Sequence, residues 1–213
     1  RVLFRSVSRY NITQLAKKIQ LNSAYGAVGN QYFRFYDIRL ASAVTMSGQL
    51  VIRWIERAIN KYLNQVLKLE EPYDFVIAID TDSVYLRLEK IVQEAFKDKP
   101  APNTDQAIKF LDKLCEKNLS KVIASACKEF SEYLNTYQQK IVMKREVLAD
   151  KGIWTKKKKY ILNVWNKEGV QYSHPKLKIM GIEVVRSSTP AVCRSKLKDA
   201  IKIIMNSTES ELV

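Results

Sequence analysis

The spacing of apolar residues changes at Glu70-Glu71-Pro72, and this change constrains the fold more than any other feature of the chain. Upstream, Ala41, Val44, Met46, Val51, Ile55, Ile59 and Leu63 recur at helical spacing, interrupted only by Gly48. The pattern predicts one long, largely buried helix over residues 38–67, ended where Pro72 breaks it. Downstream, residues 75–88 carry an apolar β-rich run, a short acidic turn at Asp80-Thr81-Asp82, and then Val84, Leu86 and Leu88 alternating with Ser83, Tyr85 and Arg87. A period of two beside such a turn predicts a β-hairpin. A helix-forming segment followed directly by a strand-forming one, with no clean linker between them, makes the chain α+β.

The rest of the chain follows the same two periods. Ile12, Leu15 and Ile19 predict an amphipathic helix over residues 11–25, stopped by Gly26 and Gly29. Pro100 and Pro102 mark a loop over residues 97–104 that leads into helical sequence through about residue 137. From residue 139 the pattern is β-like: 141–148, 153–165, 170–172 and 177–185, with Gly152 and Gly169 expected at turns. A final helix is expected after Ser188, with Thr189 as N-cap, Pro190 at the first helical position, and Cys193, Leu197, Ile201 and Ile204 on one face. Arg1-Val2-Leu3-Phe4-Arg5-Ser6 lacks an initiator Met and reads as a translated sequencing-adapter tail, so residues 1–8 are expected to be an artefact or a disordered start.

Charge narrows the partner class. The 36 Lys and Arg against 22 Asp and Glu leave a formal charge of +14, which draws polyanions to the surface and favours nucleic acid. No apolar run approaches the roughly 18–20 residues that span a bilayer. No signal-like start is present either, and a soluble, intracellular chain is expected. Cys115, Cys127, Cys193 and the lone His174 have no zinc-ligand spacing. Cys115 and Cys127 fall in helical sequence, where a buried small hydrophobe is the expectation.

Three clusters of residues could carry chemistry. Gln14, Lys18, Asn22 and Tyr25 share one helix face, where a lysine can neutralise a phosphate, a tyrosine can stack on a base and Gly26 admits close approach. Taken alone, the same face also describes a solvated helix surface. Asp80 and Asp82, two apart at a hairpin tip, can turn both carboxylates to one side, and hard oxygens so placed suit magnesium. An acidic turn that binds nothing is the alternative. Lys156-Lys157-Lys158-Lys159-Tyr160 heads a predicted strand, with Lys176 and Lys178 on the same hairpin system and Trp154 and Trp165 interleaved. That is a platform able to track a nucleic-acid backbone, or else a solvated charge run or a nuclear-localisation patch.

Taken in order, these stretches resemble the motifs of family B DNA polymerases, in particular the T-even phage replicative type. Lys18-Ile19-Gln20-Leu21-Asn22-Ser23-Ala24-Tyr25-Gly26 resembles the fingers motif KxxxNSxYG, and Asp80-Thr81-Asp82-Ser83 matches the palm motif DTDS. Lys157-Lys158-Lys159-Tyr160 resembles the KK(R/K)Y segment that holds primer–template duplex. Leu177-Lys178-Ile179-Met180-Gly181 through Ser187-Ser188-Thr189-Pro190 resembles the passage from palm to thumb. The resemblance covers residues 9–213 and implies the end of the fingers at 9–35, a palm of antiparallel sheet with packed helices at 36–189, and the first thumb helix at 190–213.

The resemblance also implies a function: template-directed nucleotidyl transfer from a dNTP to a primer 3′ end, assisted by two Mg2+ ions, in DNA replication. In that scheme Lys18 contacts the incoming triphosphate and donates a proton to the leaving pyrophosphate, Asn22 and Tyr25 line the nascent pair, and Gly26 leaves space for the template. Asp82 is the direct metal ligand, Asp80 stands close by, and Glu146 is a further acidic neighbour. Lys157, Lys158, Lys159 and Tyr160 hold the primer end, and Lys178 reaches the duplex minor groove. The implied partners are primer–template DNA, dNTP, a sliding clamp and a polymerase half carrying the rest of the site, in the cytoplasm of a phage-infected bacterium.

One departure from the family pattern matters. Its members carry another metal-binding aspartate in an upstream DxxSLYPS motif, whereas no acidic residue here precedes Asp37. These 213 residues by themselves are therefore expected to be inactive in polymerisation. A basic nucleic-acid-binding module without catalysis would explain the charge but not the ordered motifs. A reverse transcriptase or RNA polymerase palm would explain the carboxylate pair but not the NSxYG helix.

Overall fold

A computed structural model describes residues 2–98, 100–207 and 211, with side chains described from residue 6 onward within that range. Arg1 of the expected artefact, Lys99 of the predicted loop, and residues 208–210, 212 and 213 of the expected thumb segment lie outside the described residues. The chain divides into two compact units, Arg1–Arg53 and Trp54–Val213.

The first unit holds helix α1 (Val2–Val28) and the beginning of helix α2 (Ile38–Leu67). Helix α1 is longer than the predicted 11–25 and runs back through the stretch expected to be disordered. Its predicted apolar stripe is not buried, since Ile12, Leu15 and Ile19 are all more than half exposed. Asp37 starts α2: its carboxylate accepts from the Arg39 backbone N–H at 2.9 Å, as an N-capping group does, and pairs with the Arg39 guanidinium. That double engagement pulls the Asp37 carboxyl down from 3.8 to about 2, the Arg39 side-chain hydrogen bond being the largest cause.

In the second unit α2 is buried as its pattern predicts, with Ile55, Ile59 and Leu63 four residues apart and almost fully covered. The prediction of a largely buried helix fails upstream, where Val44 and Met46 are exposed. Lys68 in the left-handed region (φ 49°) ends α2, and the Leu69 N–H returns to the Asn64 carbonyl.

The predicted hairpin consists of β1 (Val76–Asp80) and β2 (Ser83–Leu86), antiparallel and closed by the two residues Thr81-Asp82. A short helix, α3 (Glu89–Ala95), follows, which the sequence pattern did not signal, and it buries Ile91. Helix α4 (Thr104–Leu114) opens with a capping box between Asn103 and Gln106. It continues through a π-helical turn (Cys115–Leu119) into α5 (Ser120–Tyr133), where Cys127 is buried as expected.

A second, three-stranded antiparallel sheet is formed by β3 (Val147–Lys156), β4 (Lys159–Lys167) and β5 (Val170–Met180), in that order. The central strand β4 sorts its side chains by parity. Tyr160, Leu162 and Val164 face Tyr85 and Trp154, while Ile161 faces Val184 and the last helix, α6 (Ala191–Asn206), through Ile201 and Met205. Both faces are covered, so β4 is nearly continuous in burial.

Five sequence expectations change here. Residues 153–165 are not one strand, because a turn at Lys157-Lys158 divides them. Gly152 is not at a turn but inside β3, where an added Cβ would meet the Trp154 ring at 2.6 Å and Leu162 Cδ2 at 2.9 Å. Residues 141–146 form no strand. Thr189 does not cap α6; its hydroxyl donates to the Glu183 carbonyl at 2.7 Å, and Pro190 takes the N-cap position. The buried face of α6 runs through Ile201 and Met205, while Cys193, Leu197 and Ile204 remain exposed.

Candidate functional site

Two asparagines locate the acidic hairpin in its unit. Asn60 and Asn64 lie one turn apart on α2, and each treats the extended segment at 73–75 as a strand partner. Asn64 Oδ1 accepts from the Tyr73 N–H and its Nδ2 donates to the Tyr73 carbonyl, both at 2.8 Å. Asn60 Oδ1 accepts from the Phe75 N–H at 2.9 Å and its Nδ2 donates to Asp74 at 2.8 Å. Phe75 is fully buried beside this clamp, so β1 leaves from an anchored point toward Asp80. Periodicity alone does not single out Asn60 or Asn64, because polar residues on a helix are ordinarily solvated.

At the tip, Thr81 takes the left-handed conformation (φ 53°), and the Asp82 N–H bonds back to the Asp80 carbonyl at 2.6 Å. The Thr81 hydroxyl donates to the Asp80 carboxylate at 3.1 Å, and the Ser83 hydroxyl donates to the Asp80 carbonyl at 3.0 Å. Asp80 is half-buried and Asp82 exposed. No group of three or more His, Cys, Asp or Glu side chains able to hold one metal exists among the described residues. Glu146 does not complete such a set with the two aspartates. The two carboxylates, one half-buried and one exposed, are nonetheless hard oxygen donors of the kind magnesium takes one or two of, filling its shell with water and phosphate oxygens.

The hairpin meets the three-stranded sheet through aromatic rings. Tyr85 on β2 lies 5.5 Å from the Trp154 ring and 5.3 Å from that of Tyr160, centroid to centroid. Burial raises the Tyr160 phenol well above its ordinary value, reinforced by Tyr85 and then by the negative charges of Glu146 and Asp80. Asp80, Glu146 and Tyr160 are therefore electrostatic neighbours, although 66 residues separate the first two in sequence. The ammonium of Lys178 donates to the Glu146 carboxylate at 2.8 Å.

Lys157 and Lys158 occupy the β3–β4 turn, exposed, with Lys158 at φ 62°. They sit at a hairpin tip rather than at the head of a strand. Lys159, at the start of β4, is half-buried and pairs with Glu183 at 2.8 Å. In the first unit, Gln14, Lys18, Asn22 and Tyr25 share one face of α1 as their spacing requires, exposed like the rest of residues 6–26, and the space around Gly26 is open. Among the described residues no helix is long and apolar enough to cross a membrane.

Sequence comparison supplies the family. The model for DNA polymerase family B matches residues 5–98, and that for Divergent Family B DNA polymerase matches residues 69–212. The chain is similar to the DNA-directed DNA polymerase of Escherichia phage RB69, with 42% identity over 204 residues, covering 92% of this chain and 22% of the relative. Its similarity to the DNA-directed DNA polymerase of Enterobacteria phage T4 is 38% over 210 residues, covering 95% and 23%. A DNA polymerase beta of African swine fever virus is 27% identical over 182 residues, covering 81% and 14%. The chain thus spans less than a quarter of the length of these curated relatives.

Proposed function

The chain belongs to the family B DNA polymerases, of the T-even phage type, and from this membership we propose that it carries part of the centre that transfers a nucleotide from a dNTP to a primer 3′ end on a DNA template. The observation that carries the reading is the Asp80-Thr81-Asp82 tip, clamped to α2 at its root and packed through Tyr85 against the strand that begins with Lys159 and Tyr160. Two packed hairpins then carry a pair of hard carboxylates on one and a basic turn on the other.

In this reading Asp82 and Asp80 would hold Mg2+. When bound, two such ions lower the pKa of an attacking hydroxyl and stabilise the charge on a leaving oxygen. This chain's own groups take further roles. Lys18 neutralises the triphosphate and delivers a proton to the departing pyrophosphate; Asn22 and Tyr25 line the new base pair, and open Gly26 leaves room for the template. The Lys157-Lys158-Lys159-Tyr160 segment holds the primer end as a unit, and burial keeps the Tyr160 phenol a neutral hydrogen-bonding group to higher pH than an ordinary tyrosine. Lys178 reaches the duplex only by exchanging Glu146 for DNA, so the acid tempers that contact.

The remainder of a polymerase, in the same chain or a separate one, would supply the further carboxylate and the other half of the triphosphate grip. Primer–template DNA, dNTP and a sliding clamp are the partners this reading names, and the cytoplasm of a phage-infected bacterium is where it operates.

The test is dNTP binding by the 213-residue chain with and without Mg2+, beside its Asp82→Asn variant. Metal-dependent binding that disappears in Asp82→Asn, with salt-sensitive duplex binding retained, is the expected result. Binding of dNTP that ignores both metal and Asp82 would leave only a basic nucleic-acid-binding module.

A further inference from the structure

Lys157 and Lys158 at the β3–β4 turn and Lys159 at the start of β4 do not have equal surroundings. The segment at 181–189 crosses beneath the turn and touches it at two points. Gly181 adopts φ 67°, and a Cβ built there would fall on the Lys158 carbonyl oxygen and lie 3.2 Å from the Lys158 carbonyl carbon and from Lys159 Cγ. Only a glycine lets the two backbones approach so closely. Two residues on, the Glu183 carboxylate takes the Lys159 ammonium at 2.8 Å, which lowers the Glu183 pKa. The other cation facing that carboxylate, Arg186, is farther away at 3.9 Å.

Glu183 is not a loose surface acid. Its carbonyl accepts the Thr189 hydroxyl at 2.7 Å and the Arg186 N–H at 3.1 Å. Its neighbour Val184 is 1% exposed and packs with Ile161 of β4. The acid is therefore held in place from both sides, and it neutralises one lysine of the run while Lys157 and Lys158 stay exposed.

We infer that Gly181 and Glu183 form a brace that retains Lys159 as a positioning residue of the fold, leaving Lys157 and Lys158 as the two lysines at the turn itself that engage duplex phosphates. The inference rests on the DNA-binding reading above and divides the labour within it. A cation already paired in the free protein displaces no net counterion when DNA arrives, whereas an exposed lysine does. The pair itself is part-exposed and contributes little stability, so its role is to assign charge and fix the turn.

The experiment is the salt dependence of primer–template duplex binding by the 213-residue chain, measured as the slope of log affinity against log salt. Lys157→Ala and Lys158→Ala should each reduce the magnitude of that slope by about 0.9, the value expected per phosphate contact. Lys159→Ala should leave the slope unchanged while weakening binding uniformly. Glu183→Gln, which frees Lys159, should increase the slope by about 0.9. The charge swap Lys159→Glu with Glu183→Lys should restore the affinity that Lys159→Ala loses.

A loss of slope in Lys159→Ala equal to that of its neighbours, or a Glu183→Gln variant with the parental slope, overturns the brace while leaving DNA binding at this turn intact. A slope indifferent to Lys157 and Lys158 overturns the DNA reading of the turn, and the inference with it.

Discussion

Replacing Asn64 by Ala tests whether the α2 clamp, rather than the turn residues, sets the position of the acidic hairpin. The substitution removes both halves of the amide pair with the Tyr73 peptide, each at 2.8 Å. A typical intramolecular hydrogen bond contributes about 1 kcal/mol net, and a partner left dry costs up to about 3 kcal/mol. Tyr73 is half-buried, so water replaces part of the loss, and a local destabilisation of about 2 kcal/mol follows. At 1.4 kcal/mol per factor of ten, that is roughly a thirtyfold faster amide exchange at Tyr73 and Phe75.

The assay is hydrogen exchange read residue by residue on the parent, Asn60→Ala, Asn64→Ala and the double variant. Because both asparagines hold the same three-residue segment, the double variant should lose less than the sum of the single ones. Less than a twofold change at Tyr73 in Asn64→Ala would refute the reasoning and return the anchoring role to buried Phe75. The functional readout runs in parallel: Mg2+-dependent dNTP binding should weaken in Asn64→Ala although no binding group has been touched.

Three further outcomes are expected. Gly181→Ala should destabilise the sheet by more than about 1 kcal/mol in a urea titration, since a positive φ and a backbone clash coincide there; a smaller loss would mean the turn yields freely. The Tyr160 phenol should ionise after the ordinary tyrosines in an ultraviolet titration, and Tyr160→Phe should remove that late step. Because its folded pKa is raised, the stability it contributes is fully present below the unfolded value near 10 and is lost as pH rises beyond it. The Asp37 carboxyl should titrate near 2 by NMR, its stabilisation of the α2 start being present above about 3.8 and lost as pH falls through about 2; Arg39→Ala should move the midpoint up.

What could be read from the sequence was whatever depends on near neighbours. Period-3.6 runs located α2, period-2 runs located the β1–β2 hairpin, and ordered short motifs carried the family, because each is set by residues within a few positions of one another. The tertiary structure decided everything that depends on distant partners. Residues 153–165 read as one β-like stretch, and it is Gly181, more than twenty residues beyond the turn, whose close backbone approach accommodates the bend at Lys157-Lys158.

The same division holds for individual side chains. Gly152 resembles a turn residue until the Trp154 ring is laid over it inside β3. Thr189 has the spacing of an N-cap, yet its hydroxyl goes to the Glu183 carbonyl. The lysines are alike in sequence, but Glu183 and Glu146, brought near by the packing of distant segments, single out Lys159 and Lys178 from the exposed cations. Local pattern determines which element a residue joins, while register between elements determines which charge meets which, and no short window of sequence contains both partners.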